Sequence, residues 1–160
     1  MAAYENAGKS DDWYTPKYIF EALGLHFDTD VASPSDGPRY VPCDNWISSG
    51  SLDKSWRGLI WMNPPFGHQS TKRLWLRKFI QHGDGVALVP DRTSAPWFQE
   101  AAPLMDAICF VSPKIKFERP DGSCGQSPGT GTALLAIGEQ SMAALLGCGL
   151  GMVVRPRIAA

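Results

Sequence analysis

The chain reads as an α/β sandwich, compact, with a mostly parallel central sheet flanked by helices. Three observations predict it. Short apolar runs of strand character, around residues 59–62, 85–89, 107–111 and 130–137, alternate with stretches of helical spacing. The length of 160 residues suits one domain, for which roughly 100–200 is typical. A 44% hydrophobic and 19% charged composition supplies a core that stands without metal or disulfide staples. The same composition excludes a disordered tail, a coiled coil and a small stapled scaffold.

The elements follow in order. Residues 1–10 are polar and are expected to form a flexible segment, with no apolar stretch of a signal peptide. Thr15-Pro16 ahead of Tyr18, Ile19 and Leu23 predicts a short helix with Thr15 as N-cap and Gly24 as stop. Residues 25–32 alternate apolar and polar positions and predict a strand ending in a polar turn. Residues 33–58, rich in Ser, Pro, Gly and Asp, hold no good helix. Leu59-Ile60-Trp61-Met62 is a buried strand stopped by prolines.

Across residues 70–81, Leu74, Trp75, Leu76, Phe79 and Ile80 are expected on one helical face, with Lys72, Arg73, Arg77 and Lys78 largely on the other. A strand at 85–89, a helix at 94–102, and strands at 107–111, 115–117 and 130–137 follow. A last helix is expected over 139–146, and residues 147–160 read as a glycine-rich, flexible tail. The domain proper is therefore residues 11–146.

The four cysteines form no C-x-x-C pair, and the sequence offers no metal constellation. No apolar run approaches the roughly 18–20 residues of a membrane span, so a reducing, cytoplasmic setting is expected. Fifteen basic against sixteen acidic side chains supply no global attraction for nucleic acid, so any such binding must come from a local patch.

The chemistry concentrates at Asn63-Pro64-Pro65-Phe66, directly after a buried strand. The two prolines stiffen the turn and remove two backbone donors. The Asn63 side-chain oxygen and the Pro64 carbonyl can then both accept from one –NH2 group, while Phe66 offers a flat face to a ring bearing it. Such a site suits the exocyclic amine of a planar base. A plain strand-ending turn accounts equally well for the tetrapeptide taken alone.

Asn-Pro-Pro-Phe resembles the catalytic tetrapeptide of S-adenosylmethionine-dependent amino-methyltransferases, (D/N/S)-P-P-(Y/F/W). The longer series resembles the bacteriophage DNA N-6-adenine methyltransferase (phage Dam) family. It runs from Trp13-Tyr14-Thr15-Pro16 through Phe27-Asp28-Thr29-Asp30-Val31-Ala32 to Trp61-Met62-Asn63-Pro64-Pro65-Phe66. It continues with Ala87-Leu88-Val89-Pro90, Trp97-Phe98, Ile115-Lys116-Phe117, Asp121-Gly122 and Thr132-Ala133-Leu134. The resemblance implies a trimmed Rossmann-like methyltransferase fold and methyl transfer from S-adenosylmethionine to adenine N6 in double-stranded DNA.

By that resemblance Asn63, Pro64, Pro65 and Phe66 are catalytic, with the target base flipped into their pocket. Tyr14, Thr15, Pro16, Asp30, Val31, Ala32 and Asp44 are cofactor candidates. Thr15 equally fits an ordinary helix cap, and Asp30 and Asp44 ordinary turn acids. The glycine-rich first loop usual in methyltransferases is absent, and the separation of 33 positions from Asp30 to Asn63 leaves little room for the usual strand–helix pairs. Lys72, Arg73, Arg92, Lys114, Lys116 and Arg119 are candidates for DNA phosphate contacts, whereas Arg77 and Lys78 fit a solvated helix face. His68 is the one histidine near the tetrapeptide. Open alternatives are an RNA base, cytosine N4 or a protein glutamine as substrate, and a non-catalytic DNA-binding module. The oligomeric state is not legible.

Overall fold

The computed structural model describes residues 13–65, 69–125 and 129–156. Phe66, Gly67, His68 and the expected N-terminal segment, residues 1–10, lie outside them. The elements are α1 (Lys17–Leu23), β1 (Phe27–Asp30), β2 (Cys43–Trp46), β3 (Ile60–Met62), α2 (Gln69–His82), β4 (Gly85–Pro90), α3 (Pro96–Ala101), β5 (Ala107–Val111), β6 (Thr132–Ile137), α4 (Glu139–Gly147) and β7 (Gly151–Val154).

The seven strands form one sheet in the order β2-β1-β3-β4-β6-β5-β7. β1 pairs in parallel with β2 and β3, and β3 with β4. β4 with β6, β6 with β5, and β5 with β7 are antiparallel, and these are the longer ladders. The sheet is therefore mixed, and the expectation of a mostly parallel one is corrected. A parallel return needs a crossover that is usually helical. The chain between β5 and β6 has no helix among its described residues, so β6 runs back beside β5.

Alternation along β4 builds two cores. Val86 and Leu88 face α1 and α4 with Ile19, Phe20, Leu23 and Leu145. Ala87 and Val89 face α2 and α3 with Trp75, Leu76, Phe79, Trp97 and Phe98. Helices thus cover both faces, as expected. Trp61 and Trp75 are both core residues, and the Trp61 ring meets Phe20 edge-on at 4.8 Å between centroids.

Several local expectations are corrected. The N-cap of α1 is Pro16, and Thr15 makes no cap. Gly24 does end that helix in the left-handed region at φ 63°, its N–H donating to the Phe20 carbonyl. Residues 33–58 hold no α-helix, in line with the sequence, but do contain the unforeseen strand β2 and a 3-10 turn at Ser51–Asp53. Residues 115–117 form no strand: Ile115 and Phe117 are buried in irregular chain beside an isolated bridge of Glu118 to Tyr14. The glycine-rich tail supplies an edge strand, β7. On α2 the buried stripe is Lys72, Trp75, Leu76 and Phe79, at i, i+3, i+4 and i+7, so Leu74 falls off it and is 53% exposed.

Candidate active site

The chain leaves β1 for β2 on one side and leaves β3 for β4 on the other, so β1 and β3 flank a switch point. Ligands of open α/β sheets bind outside the carboxyl ends of strands at such a point. A cavity of about 560 Å³ lies there. It is lined by Tyr14 and Thr15 ahead of α1, by Asp30, Val31 and Ala32 at the tip of β1, and by Asn63, Pro64 and Pro65 after β3.

The strand tips are tied together by backbone. Val31 N–H donates to the Trp61 carbonyl at 3.0 Å, Ile47 N–H to the Asp30 carbonyl at 2.8 Å, and Ser33 N–H to the Ile47 carbonyl at 3.0 Å. Behind them, Asp28 accepts from Leu59 N–H at 2.7 Å. Gly58, at φ +67°, leaves room for that carboxylate, since a Cβ there would fall 2.0 Å from Asp28 Oδ2.

Asn63 Nδ2 donates to Thr15 Oγ1 at 3.3 Å, across 48 positions of sequence. Asn63 Oδ1 is buried and has no hydrogen-bond partner among the described residues. A buried acceptor left unpaired costs about 1–3 kcal/mol. The Asn63 amide is therefore oriented through its nitrogen, with its oxygen buried and unpartnered among the described residues. Thr15, freed from capping α1, does the orienting.

Asp30 is 2% exposed. Burial pushes its carboxyl up to about 7, against the opposing pull of the Ala32 N–H, which donates to Oδ1 at 3.1 Å. The second carboxylate oxygen remains for a hydroxyl or a cation, either of which would favour the charged form. A nucleoside sulfonium bearing an ammonium group has both.

The remaining candidates divide sharply. Pro16 is buried behind Thr15 and does not line the cavity. Asp44 stands exposed on β2, 2.7 Å from His26 Nε2, and does not line it either. Lys72 is 5% exposed with its ammonium 5.3 Å from the Trp97 ring centre, and Arg73 pairs with Glu100 on α3 at 2.9 and 3.0 Å. Lys78 donates to the Ser51 and Leu52 carbonyls at 3.2 and 2.9 Å and also to the Lys54 carbonyl, holding the 3-10 turn. Lys114, Lys116 and Arg119 are exposed on the segment after β5, with Lys114 donating to the Gly129 carbonyl at 3.2 Å. Arg92 is half-buried after β4. Phe66 and His68 lie outside the described residues.

Sequence reasoning missed Trp13, Arg39, Tyr40 and Ser48–Ser51 as cavity walls. The available signal was the long segment 33–58 without a predicted element, since such segments in compact domains are usually functional.

Among the described residues no group of three or more His, Cys, Asp or Glu side chains could hold a metal ion, and no helix is long and apolar enough to cross a membrane. An α/β sheet with a cavity at its switch point, a carboxyl on one bordering strand and an amide-proline turn on the other has the layout of a ligand-binding α/β domain. The family model described as DNA N-6-adenine-methyltransferase (Dam) matches residues 4–144. The chain belongs to that family, which makes it a DNA adenine methyltransferase at the level of the family, with S-adenosylmethionine the methyl donor the family implies. Searches of curated proteins and of solved structures each return no match.

Proposed function

We propose that the protein transfers a methyl group to the N6 amine of an adenine flipped out of duplex DNA, in a trimmed Rossmann-like fold. The observation that carries this reading is Asn63 Oδ1, a buried acceptor without a partner among the described residues, on a side chain whose nitrogen Thr15 already holds. An exocyclic –NH2 group has the donors to satisfy it, and the Pro64 carbonyl beside it takes the second. The oxygen is withdrawn from solvent, where a hydrogen bond to it is stronger than in water.

S-adenosylmethionine, when bound, supplies an electrophilic methyl group on a sulfonium. Asp30 would hold its cationic or hydroxyl groups, with Val31 and Ala32 alongside on the cavity wall. Asn63 and Pro64 draw on the two amine hydrogens and turn the N6 lone pair towards that methyl. The bound sulfonium would supply the methyl by displacement at carbon, with its thioether as leaving group, and the surplus proton on nitrogen would pass to water. No strong base is needed, so positioning and preorganised acceptors supply the rate. Phe66 is assigned the stacking face for the base, and unpairing costs a few kcal/mol that stacking and hydrogen bonds offset.

The test is transfer of labelled methyl to unmethylated duplex DNA by wild type and Asn63→Ala, with product nucleosides resolved. Label in N6-methyladenine that vanishes in the variant supports the reading. Label in N4-methylcytosine, RNA or protein glutamine instead replaces the substrate. No transfer to any of these, together with no cofactor binding by calorimetry, leaves a DNA-binding module.

A further inference from the structure

Two arginines stand on neighbouring aromatic rings that line the cavity. The Arg39 guanidinium lies 3.9 Å from the centre of the Tyr14 ring, and the Arg119 guanidinium 5.1 Å from that of Trp13. Arg39 Nη1 and Nη2 donate to the carbonyls of Arg119 and Pro120 at 3.1 and 2.6 Å. Arg119 Nη1 donates to the Cys124 carbonyl and Ser123 Oγ at 3.4 and 3.5 Å. These loops are joined by the bridges of Glu118 to Tyr14 and to Cys124.

Every one of these acceptors is neutral. A neutral acceptor orients a guanidinium without cancelling its charge, and a guanidinium has five donors, so several remain on each fork. Among the described residues neither arginine forms an ion pair. Of the nearby acids, Asp36 accepts from the Tyr14 hydroxyl, and Asp121 accepts from Ser123 N–H and Oγ at 2.8 and 2.6 Å, with the Arg119 charge a lesser influence on it. Glu118 bonds the Tyr40 hydroxyl, and its Oε2 is buried without a hydrogen-bond partner among the described residues. On α2, by contrast, Lys72 is buried, Arg73 is paired with Glu100, and Lys78 holds the 3-10 turn.

We infer that Arg39, with Arg119 beside it, clamps the backbone phosphate of the DNA strand whose base enters the cavity. The inference rests on the reading of Asn63 as the base-holding residue, because it uses the cavity mouth as the place where that strand runs. Arg39 is missing from the cationic clusters visible in the sequence. It stands alone in residues 33–53, and only the fold carries it to Arg119.

The test measures binding to a short unmethylated duplex between about 50 and 200 mM salt, by fluorescence anisotropy, with cofactor affinity measured by calorimetry. Each phosphate that is no longer neutralised lowers the slope of log K against log salt by about 0.9. Arg39→Gln removes the charge and leaves a shorter polar side chain, and Arg39→Lys, which loses the fork but retains the charge, separates charge from fold. The expected result is a slope lowered by about 0.9 in Arg39→Gln and Arg119→Gln, equal across duplex sequences. Arg39→Lys keeps the slope, and cofactor affinity is unchanged throughout. An unaltered slope in Arg39→Gln overturns the inference, as does a fall confined to cofactor affinity, which would make Arg39 a partner of the cofactor carboxylate. Asn63→Ala retains the wild-type slope in either case. Failure of the base-holding reading therefore shows in methyl transfer, and failure of the phosphate clamp shows in the slope.

Discussion

The two halves of the sheet each bury a titratable group, to opposite ends. In the parallel half, Asp30 at the tip of β1 is lifted by burial to about 7 and lines the cavity. In the antiparallel half, Cys109 on β5 is wholly buried, and burial, with Cys148 Sγ at 3.9 Å, lifts its thiol to about 12. The first titrates near neutrality where a ligand can draw it into its charged form. The second stays neutral and packs as an apolar side chain. Strand direction makes the difference. β1, β3 and β4 deliver their carboxyl ends to one rim, whereas β6 and β7 run against β5 and scatter theirs. Chemistry collects on the first half and packing on the second.

The sharpest way to probe that division is Leu134→Ala, on β6 and fully buried. It should cost about 2–5 kcal/mol of stability in urea unfolding while transfer per folded molecule is kept. A selective fall in turnover would break the comparison. In the other half, Asn63→Ala should lower transfer about 10²–10³-fold. Its unfolding midpoint should move little, since the truncation loses the hydrogen bond to Thr15 but also relieves a buried acceptor that had no partner among the described residues, and the two offset.

Asp30 gives the comparison a pH signature. Its folded pKa lies above the ordinary carboxylate value, so the folded protein holds this proton more tightly than the unfolded chain. That stabilisation is full below about pH 4 and is lost as pH rises towards about 7. Asp30→Asn should therefore unfold later than wild type above neutrality. Cofactor affinity of the wild type should rise with pH up to about 7, by as much as tenfold per unit, and be flat in the variant. A flat wild-type profile by calorimetry would remove Asp30 from the cofactor site.

Smaller effects belong to positioning. Thr15→Val removes the acceptor for Asn63 Nδ2, worth about 1 kcal/mol, so turnover should fall roughly fivefold and Thr15→Ser should restore it. Arg73→Ala, whose partner is the exposed Glu100, should leave both unfolding and the salt dependence of DNA binding unchanged. A lowered salt slope in that variant would return α2 to the DNA interface.

Much of this was legible in the chain, unevenly. The strands at residues 59–62, 85–89, 107–111 and 130–137 and the helix over 70–81 show because apolar runs and periodicity are local. Asn63 and Asp30 stand out because a polar residue at the end of a strand is a local pattern too, whereas the pattern at Thr15 pointed to a helix cap that the fold does not use. β2 was hidden because its residues, Cys43 to Trp46, are half-buried or exposed and leave no apolar trace. β7 was hidden for a similar reason: an edge strand behind glycines reads as tail.

By itself the sequence determined the alternation of elements, the two-faced core and the stiff Asn-Pro-Pro turn, since each follows from spacing and backbone chemistry within a few residues. Only the tertiary structure decided that β6 returns antiparallel, that Thr15 holds Asn63 across 48 positions, that Lys72 is buried and that Arg39 reaches the 119–120 turn. Local periodicity states which face a residue shows. The partner it meets there is set by how distant segments close over one another, and no short window of sequence carries that information.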